Sequence, residues 1–402
     1  MSREPLLSRR TAALALAASL LGLTGTIAVP GQASAANQCG PEVTAPLSDK
    51  QWELKRLQPE KAWPLSEGEG QVVAVIDSGV SNQPTQLAPQ VLDGKDYVGS
   101  DAHCDNVPHG TIIAGIIAAA YNEKNPQYYG IAPKAKILPI RVAEDSSKFA
   151  QDENSPKKVA DAIRWAVDKK ATIINLSLRT DDTPELRSAV QYARQNDVVM
   201  VAASGNTGEN LTAGATVYPA AYDGVIGVGS VDQNGAWVGT SNPAWFVDVA
   251  APGSEITGIA PRGNGYGVMK DGGTSFATGF VSGTAALVRS YYKDLTADQV
   301  IERIEATADS PPGGWSKEFG YGVVNPYRAV ASLDGKLAGA PRTVGSEQIS
   351  APQAPVDPLR GMKIAASLTA AGAVAVTIVL LSAFLVRRHV RRRAAGARTA
   401  QP

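Results

Sequence analysis

The central part of the chain alternates short, nearly continuous apolar runs with longer stretches whose apolar residues recur at helical spacing. The short runs are predicted to be strands at residues 71–76, 135–142, 171–178, 197–204, 224–231 and 245–252. The longer stretches are predicted to be helices at residues 110–121, 157–170, 184–196, 275–292 and 296–308. Such alternation is typical of a parallel sheet with helices on both faces. We therefore predict an α/β domain over residues 71–333, preceded by an extension over residues 36–70.

The first 35 residues have the parts of a secretory signal peptide. A basic start is followed by an apolar run, and the sequence ASA at residues 33–35 has the small-x-small pattern of a cleavage site. Residues 1–35 are therefore predicted to be removed, so that the mature chain begins at Ala36. The sequence SRRTA at residues 8–12 leaves open whether export uses the general or the twin-arginine route.

A second apolar segment, at residues 364–386, contains no charged side chain. As a helix it rises by roughly 34 Å, which is enough to cross a bilayer, whereas a buried core helix needs no such length. The tail at residues 387–402 begins with RRHVRRR, and clustered arginine marks the cytoplasmic side. Residues 334–363, rich in Pro, Ala and Gly, are predicted to be a linker. We thus predict a single-pass protein of the cell membrane with an extracytoplasmic domain and a cytoplasmic C-terminus.

The charge of the chain is unevenly distributed, although its net value is zero over 402 residues. Residues 1–35 carry a net charge of +2 and residues 387–402 carry +6, which leaves −8 for the segment between them. A mildly acidic body argues against a nucleic-acid partner.

The two cysteines, Cys39 and Cys104, lie in the part predicted to be exported, where disulfides persist. We predict a bridge between them. Two free thiols or a zinc site are the alternatives, but zinc requires further ligands at suitable spacing, which the sequence lacks. Acidic residues at 143–157 and 181–182 do not form a calcium-loop pattern, so we expect neither a metal site nor a cofactor.

Three polar residues stand where predicted strands end or helices begin, at the sheet edge where functional groups gather. Asp77 ends the first strand, His109 precedes a helix, and Ser275 begins another. Each has an ordinary alternative, namely a turn aspartate, a surface histidine or a helix N-cap. A fourth residue, Asn206, follows a buried strand and has a turn asparagine as its alternative.

Taken together, these residues have one of the known chain orders of the serine-protease triad, Asp, His, Ser. In that arrangement Asp77 holds the imidazole tautomer and His109 takes the proton of Ser275. The Asn206 side chain and the Ser275 N–H then stabilise the tetrahedral oxyanion. The combination predicts a serine endopeptidase and leaves His103 as a loop residue.

The segments VVAVIDSGV, HGTIIAGIIA, AASGN and GGTSFATGFVSG resemble the motif set of the subtilisin-like serine proteases, or subtilases, over about residues 50–332. The signal peptide, the single C-terminal span and a cysteine shortly before the candidate histidine narrow the resemblance to the mycosins, the membrane-anchored subtilases of type VII secretion systems. The resemblance implies a three-layer subtilisin-like fold with a central, mostly parallel sheet, and a protein or peptide substrate. It also implies partnership with the type VII secretion membrane complex.

By the same resemblance, two short segments bind substrate. The strand that pairs with substrate comprises Asn175, Leu176, Ser177 and Leu178, and the specificity pocket is lined by Ala203, Ser204 and Gly205. Two positions depart from the family pattern: Gly279 stands where proline is usual, and Arg179 where glycine is usual. We expect a looser start of the serine helix from the first, and restricted substrates or a preference for acidic ones from the second.

The stretch between the predicted cleavage site and the Asp77 strand is shorter than the folded propeptide of secreted subtilases. We therefore expect residues 36–60 to stay attached and wrap the domain, tied by Cys39. Two alternative functions stay open, namely a mainly structural role in the secretion complex and general proteolysis at the cell surface.

Overall fold

The computed structural model describes residues 39–333, apart from residues 100, 145–148, 150–151, 209–210 and 271. The predicted signal peptide, linker, membrane span (364–386) and tail lie outside these residues. Within the described part, no helix is both long enough and apolar enough to cross a bilayer. The C-terminal span therefore stays a prediction.

The main sheet of the described part contains seven parallel strands. They are Val72–Asp77 (β1), Lys95–Asp96 (β2), Lys136–Arg141 (β3), Ile173–Leu176 (β4), Val199–Ala203 (β5), Val225–Val231 (β6) and Val249–Pro252 (β7). Their spatial order is β2-β3-β1-β4-β5-β6-β7. From β1 the chain continues towards the β2 edge of the sheet, whereas from the neighbouring strand β4 it continues towards the β7 edge. In open parallel sheets the crevice at such a switch point, outside the carboxyl ends of the strands, is where ligands bind.

Two further strands, Ile256–Ile259 (β8) and Tyr266–Met269 (β9), form a separate antiparallel hairpin. Seven α-helices have described bounds: Trp52–Leu57 (α1), His109–Ala118 (α2), Ser155–Asp168 (α3), Pro184–Gln195 (α4), Thr274–Tyr291 (α5), Ala297–Thr307 (α6) and Pro326–Ala331 (α7). Short 3₁₀ helices span Pro59–Lys61 and Ala88–Gln90.

Both faces of the sheet are buried, as successive residues of β1 illustrate. Val73 and Val75 pack into a core shared with α2 and α5, whereas Ala74 and Ile76 pack into a second core shared with α3 and α4. All four side chains are fully buried. The predicted parallel sheet with helices on both faces is thus confirmed, and the continuous apolar strands reflect this two-sided burial.

Some elements are shorter than their apolar runs, and others were not predicted. The helix predicted to reach residue 121 ends at Ala118, because the N–H groups of Gly130 and Ile131 bond to the carbonyls of Ala119 and Ile116 at 2.8 and 2.9 Å. The strand predicted at residues 245–252 begins only at Val249. Periodicity also missed α1, α7 and the β8–β9 hairpin, whose short lengths carry little pattern.

The extension ahead of the sheet is bound to this hairpin. The Val43 N–H donates to the Arg262 carbonyl at 3.0 Å, and the Val43 carbonyl accepts from Gly265 N–H at 2.8 Å. The Trp52 indole of α1 donates to the Glu255 carbonyl at 3.3 Å. The extension thus lies along the hairpin and uses backbone groups that a free hairpin edge would expose to water.

The same extension is covalently tied to the loop before α2. Cys39 and Cys104 form a disulfide, as predicted. The next residue, Gly40, donates its N–H to the Asn106 side chain at 3.3 Å and accepts from Arg262 at 3.0 Å. The start of the described chain is therefore held a few residues from His109.

Candidate active site

Asp77 is the last residue of β1, and its side chain is only 1% exposed. Its Oδ1 accepts a hydrogen bond from the Ser78 N–H at 2.7 Å and lies 2.7 Å from the His109 Nδ1. A carboxylate can only accept, so the pairing places the imidazole hydrogen on Nδ1 and leaves Nε2 as the basic nitrogen.

His109 is the first residue of α2, and its ring packs against the ring of Phe276 with the centroids 5.3 Å apart. The residue after it must be glycine, because a Cβ on Gly110 would lie 2.2 Å from the Gly79 carbonyl oxygen and 3.1 Å from the Asp77 Cβ. The start of α2 therefore approaches the end of β1 closely enough for the carboxylate to reach the imidazole.

Ser275, beside Phe276, is the second residue of α5 and is partly exposed. Its hydroxyl donates to the Ser177 carbonyl at 3.3 Å. The N-cap of α5 is Gly273, which has no side chain to cap the first N–H groups of the helix. These N–H groups, together with the positive end of the helix dipole, favour negative charge next to Ser275.

Asn206 follows β5 and faces the same helix start. Its Oδ1 accepts from both the N–H and the hydroxyl of Thr274, each at 3.1 Å. Because the N–H can only donate, this identifies the oxygen of the side-chain amide and orients its Nδ2 donor. A Cβ on Gly273 would lie 2.5 Å from the Asn206 amide, so glycine is required there.

A buried polar network joins β4 to α5. Asn175 donates to the Ser177 hydroxyl at 2.8 Å and accepts from Ser282 at 3.0 Å, and the Ser177 hydroxyl donates to the Ser275 carbonyl at 2.8 Å. The Thr278 hydroxyl lies within hydrogen-bond distance of the same carbonyl. The end of β4 thereby sets the position of the residue that carries the candidate nucleophile.

Burial reduces the number of predicted substrate-binding residues in the first segment whose side chains a substrate can reach. Asn175 and Leu176 are fully buried, the first in the polar network and the second in the core, so their side chains do not face a ligand. Ser177 is buried as well, with 2% exposure, whereas Leu178 is only partly buried. The accessible part of this segment therefore begins at Leu178 and continues to Arg179.

The second predicted segment, formed by Ala203, Ser204 and Gly205, is buried at the end of β5. Gly205 has a φ of +96°, and a Cβ there would lie 2.8 Å from Leu211 and 3.2 Å from Val217. These two apolar side chains were missed by the sequence analysis. Nothing in the local pattern places them beside Gly205, because a loop brings them back to β5.

The absence of proline at Gly279 has a packing reason. A Cβ on Gly279 would lie 3.0 Å from Ile116 Cγ2 and 3.3 Å from Ile116 Cβ. Glycine therefore lets α5 pack tightly against α2, the helix that begins at His109. The looser helix start stays a prediction, and the bond from Ser177 to the Ser275 carbonyl acts against it.

The other histidine of the loop, His103, is placed elsewhere. Its Nε2 lies 3.1 Å from the Leu92 carbonyl, and its Nδ1 lies 3.3 Å from the exposed carboxylate of Asp101. It is a loop residue with local partners, in agreement with the sequence analysis.

A parallel sheet with a buried acid–imidazole pair at its carboxyl edge, next to a serine at a helix start, defines a serine hydrolase as the class of protein. Comparison with known families narrows this class. The model of the subtilase family matches residues 68–322. Mycosin-4 of Mycobacterium tuberculosis is 38% identical over 312 residues, which cover 68% of this chain and 67% of that protein.

Two solved structures support the same relationship. The serine protease MycP1, an essential component of the type VII (ESX-1) secretion system, superposes with a TM-score of 0.66 at 30% identity, covering 73% of this chain and 92% of that one. A chain of the periplasmic assembly from the ESX-5 inner membrane complex gives 0.66 at 29% identity, covering 79% and 94%. The chain belongs to the subtilase family, is a subtilisin-like serine protease, and is related to the mycosins of type VII secretion systems.

Proposed function

We propose that this chain is a membrane-anchored, extracytoplasmic serine endopeptidase that hydrolyses peptide bonds in support of type VII secretion. The observation that carries the catalytic part is the 2.7 Å contact between Asp77 Oδ1 and His109 Nδ1 beside the start of α5. Asp77, His109 and Ser275 are the proposed catalytic triad.

The proposed reaction follows from the donors and acceptors of these groups. Asp77 keeps the hydrogen of His109 on Nδ1 and stabilises the imidazolium that forms. His109 Nε2 removes the Ser275 hydroxyl proton as the oxygen attacks the scissile carbonyl, and then gives that proton to the leaving amine. Water repeats the sequence on the acyl-enzyme and regenerates the serine.

Negative charge on the tetrahedral intermediate requires donors that are already in place. The Nδ2 of Asn206, held by the two bonds from Thr274 to its Oδ1, and the Ser275 N–H at the start of α5 are the proposed pair. Such a donor typically contributes about 10²–10³ in rate, because it needs no reorganisation as charge develops.

An extended substrate is proposed to pair with the backbone after β4, at Leu178 and Arg179, with its side chain directed towards Gly205. Leu211 and Val217, packed against Gly205, then form an apolar base for that pocket. Strand pairing provides affinity with little dependence on side chains, so selectivity rests on this base and on Arg179.

Arg179 gives a direct prediction for selectivity. In a peptide-library profile, Arg179→Gly is expected to lose about tenfold of any preference for acidic residues near the cleaved bond, because the guanidinium of this half-buried residue matches the geometry of carboxylates. Arg179→Lys keeps the charge and is expected to retain most of the preference. A profile that Arg179→Gly leaves unchanged would exclude this role.

The membrane and secretion parts of the proposal rest on other observations. The charge-free run at residues 364–386 and the arginines after it support a C-terminal anchor with the catalytic domain outside. The relationship to MycP1 and to a chain of the ESX-5 inner membrane complex supports a type VII secretion complex as partner.

The proposed function is tested by comparing the N-termini of culture-fluid proteins between wild type and Ser275→Ala, with Ser290→Ala as a matched serine on the same helix. We expect at least one secreted protein to lose its processed N-terminus in Ser275→Ala but not in Ser290→Ala. Identical N-termini in all three strains would argue against a processing protease.

The alternative is a mainly structural role. It is supported by the similarity of this chain to a chain of the periplasmic assembly from the ESX-5 inner membrane complex. A gene deletion separates the two roles. If type VII secretion fails in the deletion strain and is normal in Ser275→Ala, support of the complex dominates over proteolysis. Secretion that is normal in both strains favours general cell-surface proteolysis.

A further inference from the structure

Asp105 is a completely buried carboxyl group in the loop that leads to α2, and the proposed reaction gives it no part. It follows Cys104 in the chain and has 0% exposure. Burial, with a smaller contribution from the nearby charge of Asp77, raises the pKa of Asp105 above its usual range. A buried acid is costly to keep unless its oxygens are bonded, so its partners define what it does.

One oxygen of Asp105 accepts a hydrogen bond from a residue near His109, and the other accepts one from the residue next to Asp77. Oδ2 accepts the N–H of Thr111 at 2.8 Å, in the first turn of the helix that begins at His109. Oδ1 accepts the hydroxyl of Ser78 at 2.8 Å, in the residue directly after Asp77. Asp105 therefore connects the position of the base to that of its carboxylate partner.

The Ser78 hydroxyl is the branch point of this connection. Its oxygen lies 2.8 Å from Asp105 Oδ1 and 3.2 Å from Asp77 Oδ1, and it accepts the Gly110 N–H at 3.2 Å. A hydroxyl has one hydrogen to donate. While Asp105 is ionised, the shorter contact takes that hydrogen and leaves Asp77 Oδ1 to the Ser78 N–H and His109.

We propose that Asp105 is a positioning residue for the general base, which it holds through Thr111 and through the hydroxyl of Ser78. The inference rests on the proposed function, in which Asp77 and His109 act as the carboxylate–base pair. Burial favours the neutral acid, but both oxygens of Asp105 accept hydrogen bonds, from Ser78 and Thr111, and these favour its ionised form. Ionised Asp105 keeps the Ser78 hydrogen away from Asp77, so the acceptor strength of Asp77 is directed to the imidazole.

Another charged side chain, that of Arg141, also contacts Ser78. Arg141 donates its Nε to the Ser78 carbonyl at 3.2 Å, and its Nη1 is paired with Asp96 Oδ2 at 3.0 Å. The other titratable side chains in this network are Asp77, which Ser78 contacts, and His109, which Asp77 contacts. Arg141 thus acts on the backbone of Ser78, whereas Asp105 acts on its hydroxyl.

Asp105→Asn tests the proposal because it imitates neutral Asp105. Its single amide oxygen can accept the Thr111 N–H, and its NH₂ then faces Ser78, whose hydroxyl turns to Asp77. A weaker carboxylate acceptor and one negative charge fewer both disfavour the imidazolium. We expect kcat to fall about tenfold with KM within twofold of wild type, and the acid limb of the kcat/KM profile to move about half to one unit lower in pH.

The readout that does not depend on activity is the ring titration of His109, followed by NMR on the full-length chain labelled at histidine Cε1. The chain has three histidines, and the His109 resonance is the one that His109→Gln removes. We expect its midpoint to move lower in Asp105→Asn by the same half to one pH unit. If Ser275→Ala fails to abolish hydrolysis but this midpoint moves, the proposed function fails and the network stands.

Two variants serve as controls. Asp101→Asn removes another carboxylate of the same loop. The Oδ1 of Asp101 accepts the His103 N–H at 2.9 Å, so the His109 midpoint is expected to stay at the wild-type value. In a Ser78→Ala background the effect of Asp105→Asn on the midpoint should fall to less than half, because the bridging hydroxyl is gone.

Three results would overturn the proposal: an unchanged midpoint in Asp105→Asn, an equal change in Asp101→Asn, or the full change in the Ser78→Ala background. If Asp105→Asn does not fold, Ser78→Ala alone decides. A several-fold lower kcat at constant KM then supports the proposal, and wild-type kcat together with a wild-type His109 midpoint overturns it.

Discussion

Purified Ser275→Ala protein is expected to hydrolyse a peptide substrate at least about 10⁴-fold more slowly than wild type, because the variant has no oxygen nucleophile for His109 to activate. Binding of the substrate should change little, since the proposed strand pairing after β4 does not use the Ser275 hydroxyl. The residual rate is expected to reflect only the oxyanion donors and bound-state orientation.

The same variant should fold as well as wild type. The one hydrogen bond that the Ser275 hydroxyl donates here is long, at 3.3 Å, and its carbonyl is held by Ser177 whatever side chain is present. Ser290→Ala, near the other end of α5, loses a 2.8 Å bond to the Glu69 carbonyl and should keep full activity. Hydrolysis of the same substrate by Ser275→Ala at even a tenth of the wild-type rate would exclude Ser275 as nucleophile.

The second large effect is expected at Glu53 in α1, which is not one of the proposed catalytic residues. Its side chain is 2% exposed, Oε1 accepts the Thr257 N–H at 3.2 Å, and Oε2 has no hydrogen-bond partner among the described residues. Burial raises the pKa of Glu53 from its usual 4.5 to about 7. The fold therefore prefers the neutral acid, and ionisation weakens the packing of α1 on β8.

The sign of the pH effect follows from proton binding. Between pH 4.5 and about 7 the folded chain holds a proton at Glu53 that the unfolded chain has lost, so stability falls as pH rises and the loss is complete above about pH 7. The difference corresponds to about 3 kcal/mol. Glu53→Gln keeps an acceptor for Thr257 and cannot ionise, so its stability relative to wild type should rise by about that amount from pH 4 to pH 8.

Urea unfolding of both proteins at a series of pH values measures this difference. Buried Asp105 acts in the same direction, and it is common to both proteins, so the comparison isolates Glu53. Glu60 is a control of opposite sign. Burial raises its pKa, but bonds from Lys50 and Tyr129 at 2.7 and 2.9 Å outweigh this and leave the pKa lowered. Glu60→Gln should therefore lose stability near pH 7, and a Glu53→Gln difference that does not vary with pH would refute the assignment.

The sequence predicted most of the central sheet and its covering helices, because the buried strands lie within continuous apolar runs and the long helices carry their own periodicity. The short β8–β9 hairpin is different. Each of its strands has four residues, and the bonds that complete it come from Val43 and Ala45, more than two hundred positions away. No local window contains both partners, so the pattern could not reveal it.

The candidate site divides in the same way. Asp77, His109, Ser275 and Asn206 were recognisable because each stands directly after an apolar strand or at the start of a helix. Leu211, Val217 and Asp105 have no such signal, and their positions depend on how loops return to the sheet. Arg179 and Gly279 were visible as departures, but only packing against Ile116 explains the glycine.

By itself, the sequence determined the order of most strands of the main sheet and of its long helices, the residue types at the strand ends and the two cysteines available for one bridge, since these follow from local periodicity and composition. Only the tertiary structure decided that Asp77 Oδ1 and His109 Nδ1 lie 2.7 Å apart, that Asn206 is oriented by Thr274, and that Asp105 is buried and bonded to Ser78. The physical reason is that the contacts of Asp77 with His109, of Asn206 with Thr274 and of Asp105 with Ser78 join residues 32, 68 and 27 positions apart. Their proximity depends on which strands become neighbours and how closely glycines let helices approach.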